Sequence, residues 1–183
     1  MRDPSTVRIR PLDSRDAAAA RALLEGEVGG TPYAPLYRHI LSLALEAGSG
    51  EAIGLVADWP GESEPVGVCL YGWAPGAVRT GRIYFVAVTA SARLQGVGSR
   101  LIDAAIERLE RDRARILVAE GPDDASIRPA HLLMQSCGFE EQARVPDFYR
   151  DGVDLILSRR RVGAAPAAES PARDDRHASP RAR

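Results

Sequence analysis

The sequence predicts an α/β fold: a mixed central sheet of six to seven strands with about four helices, in the order β-α-α-β-β-β-α-β-α-β-β. Three observations carry that expectation. Ile83, Tyr84, Phe85, Val86, Ala87 and Val88 are apolar without a break and rich in β-branched and aromatic types. Such a run suits a strand covered on both faces. Arg93-x-x-Gly96-x-Gly98 comes next, and Leu101, Ile102, Ala105, Ile106 and Leu109 then recur at helical spacing, as in an amphipathic helix packed on a sheet. Two further apolar segments, Glu141 to Val145 and Val153 to Ser158, read as a closing pair of strands.

The remaining elements follow from local chemistry. Val7-Arg8-Ile9-Arg10 alternates like a half-buried edge strand, and Pro11 stops it. Asp13 or Ser14 can cap an alanine-rich helix running to about Leu24. Gly26, Gly29, Gly30 and Pro32 form a break, and a second helix spans about Ala34 to Ala47, ended by Gly48-Ser49-Gly50. Ala52 to Ala57 and Val66 to Trp73 read as strands joined by the turn Pro60 to Pro65. After the Ile83–Val88 strand and a Gly98–Arg113 helix come a short buried strand, Ile116 to Ala119, and a helix from Pro129 to Cys137.

With 183 residues the chain has the length of one domain, and 45% apolar residues supply an ample core. The expected domain covers residues 1–161. From Val162 the text turns to Ala, Pro, Arg, Ser and Asp without periodicity. Such a stretch buries too little apolar surface to offset its ordering entropy, so residues 162–183 are expected to be a disordered, solvated tail. The opening residues lack the apolar core of a secretory signal. Cys69 and Cys137, far apart, read as reduced thiols in or near the core. A cytoplasmic protein without membrane or nucleic-acid partners is the simple expectation. All 24 basic residues are arginine. Three scattered histidines and two scattered cysteines offer no metal-ligand spacing, so no metal is expected.

Gly96 and Gly98 let a ligand come close to the backbone. The free N–H groups of the following helical turn, at the positive end of its dipole, make an anion site fit for a pyrophosphate. A Walker A loop needs lysine, and the chain has none. A dinucleotide fingerprint needs glycine or alanine where Leu101 stands. Arg-x-x-Gly-x-Gly after an apolar strand instead resembles the acyl-CoA-binding motif of the GNAT superfamily of N-acetyltransferases. The element order and the Gly138-Phe139 junction after a helix resemble that family too. The resemblance, which covers about residues 6–160, implies a GNAT-like mixed sheet and acetyl-CoA as acyl donor. It implies that Arg93, Leu94, Gln95, Gly96, Val97, Gly98 and Ser99 hold the pyrophosphate, and that Val86, Ala87 and Val88 pair with the pantetheine arm.

Acyl transfer to an amine sets chemical demands. An alkylammonium titrates near 10.4 and must lose a proton before it attacks. The tetrahedral oxyanion needs donors, expected around Val86–Val88, and the departing thiolate benefits from an acid. Many members of the family place a tyrosine four residues before the Gly-Phe glycine, but here that position is Met134, which reads as core filler. The family's asparagine near the start of that helix is matched by Ile127. Glu120, expected just after the Ile116–Ala119 strand, is the candidate proton acceptor, with a solvated turn glutamate as the competing reading. Tyr84 and His131 are weighed as packing residues. Val145 to Asp154 resembles the last hairpin of enzymes that acetylate protein N-termini, which implies that Tyr149 lines the substrate entrance. The Gly29–Tyr37 segment, with Tyr33 and Tyr37, should form the opposite wall. The expected function is acetyl transfer from acetyl-CoA to a small amine or peptide N-terminus by direct attack in a ternary complex, as a monomer or a homodimer. The alternative is a catalytically degenerate CoA-binding regulatory or scaffold module.

Overall fold

The structure, a computed structural model, describes residues 6–46, 51–62 and 64–162. The expected helix stop at Gly48-Ser49-Gly50 and the expected tail beyond Val162 lie outside those residues. The elements are β1 (Arg8–Pro11), α1 (Ala17–Val28), α2 (Ala34–Leu45), β2 (Ile53–Asp58), β3 (Gly67–Trp73), β4 (Thr80–Val88), α3 (Val97–Arg111), β5 (Ile116–Pro122), α4 (Arg128–Ser136), β6 (Glu140–Arg150) and β7 (Val153–Arg161). One seven-stranded sheet runs β1-β2-β3-β4-β5-β7-β6. Its neighbours are antiparallel except β4 and β5, which are parallel and joined by the α3 crossover, since parallel strands need a long connection.

The sheet separates two cores. Leu101, Ile102, Ala105, Ile106 and Leu109 of α3 lie against Leu55, Cys69, Ile83, Val86 and Leu117 on one face. Leu24 and Val28 of α1 and Tyr37, Ile40 and Leu41 of α2 lie against Val56, Val68, Leu70, Phe85 and Ala87 on the other. A bulge in the β3–β4 ladder explains how β4 feeds both. Leu70 pairs with Phe85 and Tyr71 with Ile83, so Tyr84 is the extra residue. A bulge resets the alternation of side chains, and Tyr84 and Phe85 therefore both turn toward α1 and α2 while Ile83 and Val86 face α3.

The feature that shapes the site is the short contact between β4 and β5. They pair only from Thr80–Ile116 to Ile83–Ala119. Beyond that point β4 stays on β3 through Val86–Cys69, Ala87–Val68 and Val88–Gly67. Meanwhile β5 stays on β7 through Glu120–Leu157, Gly121–Ile156 and Pro122–Leu155. The sheet splits into a V whose arms are each held by an outer neighbour.

Some boundaries differ from expectation. Gly26 lies inside α1, because the helix runs on to bury Val28; an exposed helical glycine costs only about 1 kcal/mol. The break starts at Gly29. Glu120 does not follow a strand but belongs to β5, which its pairing with β7 carries on to Pro122. Val162 is buried, and its N–H donates to the Arg115 carbonyl at 3.3 Å, so the packed body reaches one residue past Arg161. Gly138 takes φ +81° after α4 and delivers Phe139, 2% exposed, into the core, a left-handed helix stop that favours glycine.

A charged network fixes the first strand to the first helical turn. The Arg10 guanidinium donates to both Asp16 oxygens at 2.6 and 2.7 Å, and its Nε donates to Asp58 at 2.7 Å. Neither Asp13 nor Ser14 caps α1, whose N-cap position is Asp16 without a side-chain cap bond. Asp13 caps a 3-10 turn, Ser14–Asp16, that leads into it, its side chain accepting from Arg15 N–H and its own N–H donating to Asp16. Hydrogen bonds from Arg10 are the main cause that holds the Asp16 carboxyl below its ordinary value. Asp16 is only 3% exposed, so breaking this pair leaves the part-buried Arg10 guanidinium short of one partner. Asp16→Asn is expected to cost about 2–3 kcal/mol, read as a fall of roughly 5–10 °C in melting temperature. A carboxyl lowered on folding contributes stability above its unfolded value of 3.8 and loses it as pH falls further. The variant's stability should therefore be flatter than the parent's below about pH 4.

Candidate active site

The loop between β4 and α3 is built to leave donors free. Leu94 takes φ +57° with its side chain fully exposed, and Gly96 takes φ +76° at the start of α3. The first bond within the helix runs from Arg100 N–H to the Gly96 carbonyl at 3.1 Å. The N–H groups of Val97, Gly98 and Ser99 thus have no acceptor within α3. The first turn of α3 carries no acidic residue to occupy that positive end. A Cβ on Gly98 would lie 2.8 Å from Leu133 Cδ2 of α4, so a side chain here would have to displace the end of Leu133 at this mouth. Arg93 donates through Nε to the Val88 carbonyl at 3.2 Å and forms an ion pair with Glu27 of α1. It ties the loop to the end of β4 and to the opposite helix at once.

A cavity of about 530 Å³ fills the V. One end is the loop: Arg93, Leu94, Gly96, Val97, Gly98 and Ser99 line it. Its floor is β4 from Ile83 to Val88, and the far side is Ala119, Glu120 and Gly121 of β5 with Pro129 to Met134 of α4. Glu27 and Tyr37 close the α1–α2 side. Beyond Ile83 no described strand pairs with the cleft-facing edge of β4. Its backbone groups on that side are left for a ligand.

The end away from the loop is polar and aromatic. Glu120 is ion-paired with Arg82, whose guanidinium lies 5.1 Å from the centre of the Tyr84 ring. Tyr84 donates its hydroxyl to the Trp73 carbonyl at 3.1 Å. Tyr33 packs edge-on against Tyr149 at 5.3 Å, Phe148 against Tyr149 at 5.0 Å, and Tyr37 against Phe85 at 5.1 Å. Burial, and next the neighbouring Tyr149, pushes the Tyr37 phenol up to about 12. Burial, and next the charge of Glu120, also raises Tyr149. Both are therefore neutral O–H groups at physiological pH. Two polar side-chain atoms here are buried without a hydrogen-bond partner, Tyr33 Oη and Arg82 Nε. Each such group costs about 1–3 kcal/mol.

The structure gathers most of the expected residues. Val86, Ala87, Val88, Arg93, Leu94, Gly96, Val97, Gly98, Ser99, Tyr37 and Glu120 line the one cavity. Gln95 does not; its side chain donates to the Ser91 carbonyl at 2.7 Å and braces the loop. Tyr33 and Tyr149 stand together just off the cavity's far end. Tyr84, weighed as packing, lines the cleft, because the bulge turns it there. His131 also lines it, with a ring nitrogen 2.9 Å from the Pro122 carbonyl, so it joins α4 to the end of β5. Met134 is buried in the α3-side core and offers no acid. Burial pushes the Cys69 thiol up to about 12 and raises Cys137 as well, so neither is a ready thiolate. Arg82 and Glu27 were not expected. The only sequence signal for Arg82 was a charge at the head of a run otherwise apolar.

The profile of the Acetyltransferase (GNAT) family matches residues 21–139. No curated protein matches the sequence. Among solved structures, a GNAT-family protein from Desulfovibrio desulfuricans is similar at 24% identity and TM-score 0.75, over 86% of this chain and 99% of that one. The NatC complex bound to Gag peptide and CoA is similar at 21% identity and TM-score 0.67, over 86% and 99%. The ribosomal-protein-S18-alanine N-acetyltransferase from Escherichia coli is similar at 17% identity and TM-score 0.67, over 88% and 97%. These likenesses show the fold, and the family match covers well over half of the chain. A split sheet with a helix start that leaves its N–H groups free at one end of the cleft thus belongs to a chain of the acetyltransferase (GNAT) family, an acyl-CoA N-acetyltransferase.

Proposed function

We propose that this chain moves an acetyl group from acetyl-CoA to a primary amine or peptide N-terminus by direct attack in a ternary complex. The observation that carries the proposal is a single cavity with a backbone anion site at one end and Glu120 at the other. The residues fit the donor. Val97, Gly98 and Ser99 N–H groups receive the pyrophosphate, and the unpaired edge of β4 beyond Ile83 offers backbone groups to the pantetheine amides and to the oxyanion. Glu120 accepts the amine's proton, directly or through water. Tyr149, the other catalytic candidate, stands on the acceptor wall with Tyr33 and Tyr37. The peptide and ribosomal-protein acceptors of the similar structures support a peptide terminus as one acceptor class. The proposal keeps the cytoplasmic placement expected from the sequence and requires no second subunit, nucleic acid, membrane or metal.

The reading as a CoA-binding module without catalysis is favoured by one observation: the position of the family's helix tyrosine is a buried methionine, Met134. Isothermal titration with acetyl-CoA, followed by thiol release against an amine panel, separates the two. Binding with release on some amine supports the enzyme. Binding with no release across small amines, amino acids and peptides supports the module, and no binding sinks both.

Glu120→Gln should lower kcat by about 10²-fold or more, as loss of a general base does, with acetyl-CoA affinity kept within twofold; an unchanged rate would remove Glu120 from the chemistry. Gly98→Val places branches in the gap held open against Leu133 and should weaken acetyl-CoA binding at least tenfold while the protein stays folded by circular dichroism. Glu27 holds a negative charge at the mouth of an anion site and occupies Arg93. Glu27→Gln should therefore bind acetyl-CoA about threefold more tightly at low salt, with the gain shrinking as salt rises.

A further inference from the structure

The cavity has a branch that neither the anion site nor Glu120 explains. Along β5, Leu117, Ala119 and Gly121 share the face that looks toward α3 and α4. Leu117 packs there, but Ala119 and Gly121 are too small to fill the space, and both line the cavity. The backbone does not call for glycine at position 121. Its φ lies outside the left-handed region, and a Cβ on it would meet only the His131 ring, at 3.7 Å, an ordinary contact. Glycine inside a strand weakens the strand, so what Gly121 supplies is room beside His131. Ser158 of β7 pairs with Ala119 and shares its face, on which Arg160, two residues on, donates to the Cys137 carbonyl at the end of α4. Ser158 lines the cavity although it is only 7% exposed, and its hydroxyl takes part in no hydrogen bond among the described residues. His131 donates from Nε2 to the Pro122 carbonyl at 2.9 Å, because a carbonyl only accepts. Nδ1 of the neutral ring is then an acceptor with no partner among the described residues. The branch between β5–β7 and α4 is thus apolar at Ala119, Leu133 and Met134 and polar at Ser158 and His131.

We propose that this branch receives the tail of a donor acyl chain that is longer than acetyl and carries a hydroxyl, so that the protein transfers hydroxyacyl groups from CoA as well as acetyl. The inference rests on the acyl-transfer reading above and extends its donor. One cavity holds both the β4 edge proposed for the thioester carbonyl and Ser158, so a longer chain runs from one to the other. Glu120, between Ala119 and Gly121, lies on the opposite face of the strand by alternation, so the tail does not compete with the acceptor. An acetyl group ends at its methyl and leaves Ser158 and His131 to water. A hydroxyl can accept from Ser158 and donate to His131 Nδ1. A plain alkyl chain would bury both polar groups unmet. A carboxylate would set its charge against the Nδ1 lone pair, and the one arginine that lines the cavity, Arg93, stands at the loop end on Glu27. The transfer itself is unaltered. The amine nitrogen bonds to the acyl carbonyl carbon, the C–S bond breaks, and the amine proton passes to Glu120. CoA leaves as a thiolate that takes a proton from water, and the hydroxyl is a spectator.

The test titrates the full chain with acetyl-CoA, butyryl-CoA, 3-hydroxybutyryl-CoA and succinyl-CoA by calorimetry. It then measures thiol release from each with an amine that acetyl-CoA serves. The expected result is that 3-hydroxybutyryl-CoA binds about tenfold more tightly than butyryl-CoA or succinyl-CoA and is turned over at least as well as acetyl-CoA. Ser158→Ala removes a hydroxyl that has no partner in the protein, so folding is spared. It should shrink the preference for hydroxybutyryl over butyryl to twofold or less while acetyl-CoA affinity stays within twofold. Gly121→Val fills the space beside His131 and should lower the affinity of both four-carbon acyl donors relative to acetyl-CoA at least tenfold. If Gly121→Val does not fold, the parent and Ser158→Ala decide the matter. Butyryl-CoA or succinyl-CoA binding as tightly as the hydroxyacyl donor, or a preference that Ser158→Ala leaves intact, overturns the inference. So does a hydroxyacyl donor that binds but releases no thiol with an amine that acetyl-CoA acetylates. Each of these leaves the acetyltransferase reading standing. Failure to bind acetyl-CoA, or silence on every amine with every donor, overturns that reading and this inference with it.

Discussion

Four residue pairs hold β4 to β5, and the arrangement of the site follows from their stopping at Ile83 and Ala119. Parallel strands that stayed paired would bury the backbone of β4 in a ladder and leave no cleft. Parting them without replacement would strand a row of buried N–H and C=O groups. The outer partners, β3 for β4 and β7 for β5, hold each arm by its other edge, and the inner-edge groups avoid burial because they face the open cleft, where water or a ligand can meet them. The bulge at Tyr84 sits next to the branch point, where it turns an aromatic ring into the opening and adds local twist. The proposed donor site on the α3 side and the proposed acceptor site on the α1–α2 side can then share one cavity, because the sheet between them is open.

The two ends of the cleft meet opposite electrostatic problems with different materials. The end proposed for the pyrophosphate presents oriented backbone N–H groups at the start of α3, with no lysine anywhere in the chain. Its one nearby guanidinium, Arg93, is engaged by Glu27 and Val88. Fixed dipoles need no side-chain ordering when the ligand arrives, so they are cheap in entropy. The acceptor end uses a full ion pair between Arg82 and Glu120, partly sheltered by tyrosines that remain protonated. Ion pairs of this kind gain little stability. This one joins β4 to β5 next to the point where the two strands part.

The donor half of the site was legible in the sequence because it is local. A strand, a glycine-spaced loop and a helix start lie within about twenty consecutive positions, and glycine's conformational freedom leaves a visible mark at Gly96. The element order was legible for the same reason, since periodicity and turn chemistry act over short spans. The acceptor half is not local. Arg82 and Glu120 are 38 residues apart, and Arg93 and Glu27 are 66 apart. No pattern along the chain announces such pairs; only topology brings them together. Tyr84 could not be assigned to cleft or core because strict alternation hides the bulge that sets it against both, and Gly26 was read as a break because a glycine on an exposed helix face resembles one. Glu120 was placed after its strand because β5 is prolonged by pairing with β7, a partner about 36 residues later in the chain.

Met134 shows how a site can lose one group without losing its frame. It occupies a position where the helix faces both the cavity and the α3-side core, and it is 7% exposed. A methionine there satisfies packing because it is long, flexible and apolar, but it supplies no proton donor at that position of α4, where His131 is the ionisable residue that lines the cavity. Other ionisable and phenolic groups at or beside the cavity are Arg82 and Tyr84 of β4, Glu120 of β5, Tyr37 of α2, Tyr149 of the β6–β7 hairpin and His131 of α4. Proton acceptance by Glu120, as proposed above, is coupled to its ion pair with Arg82, so a change at Arg82 will register in the pH dependence of turnover.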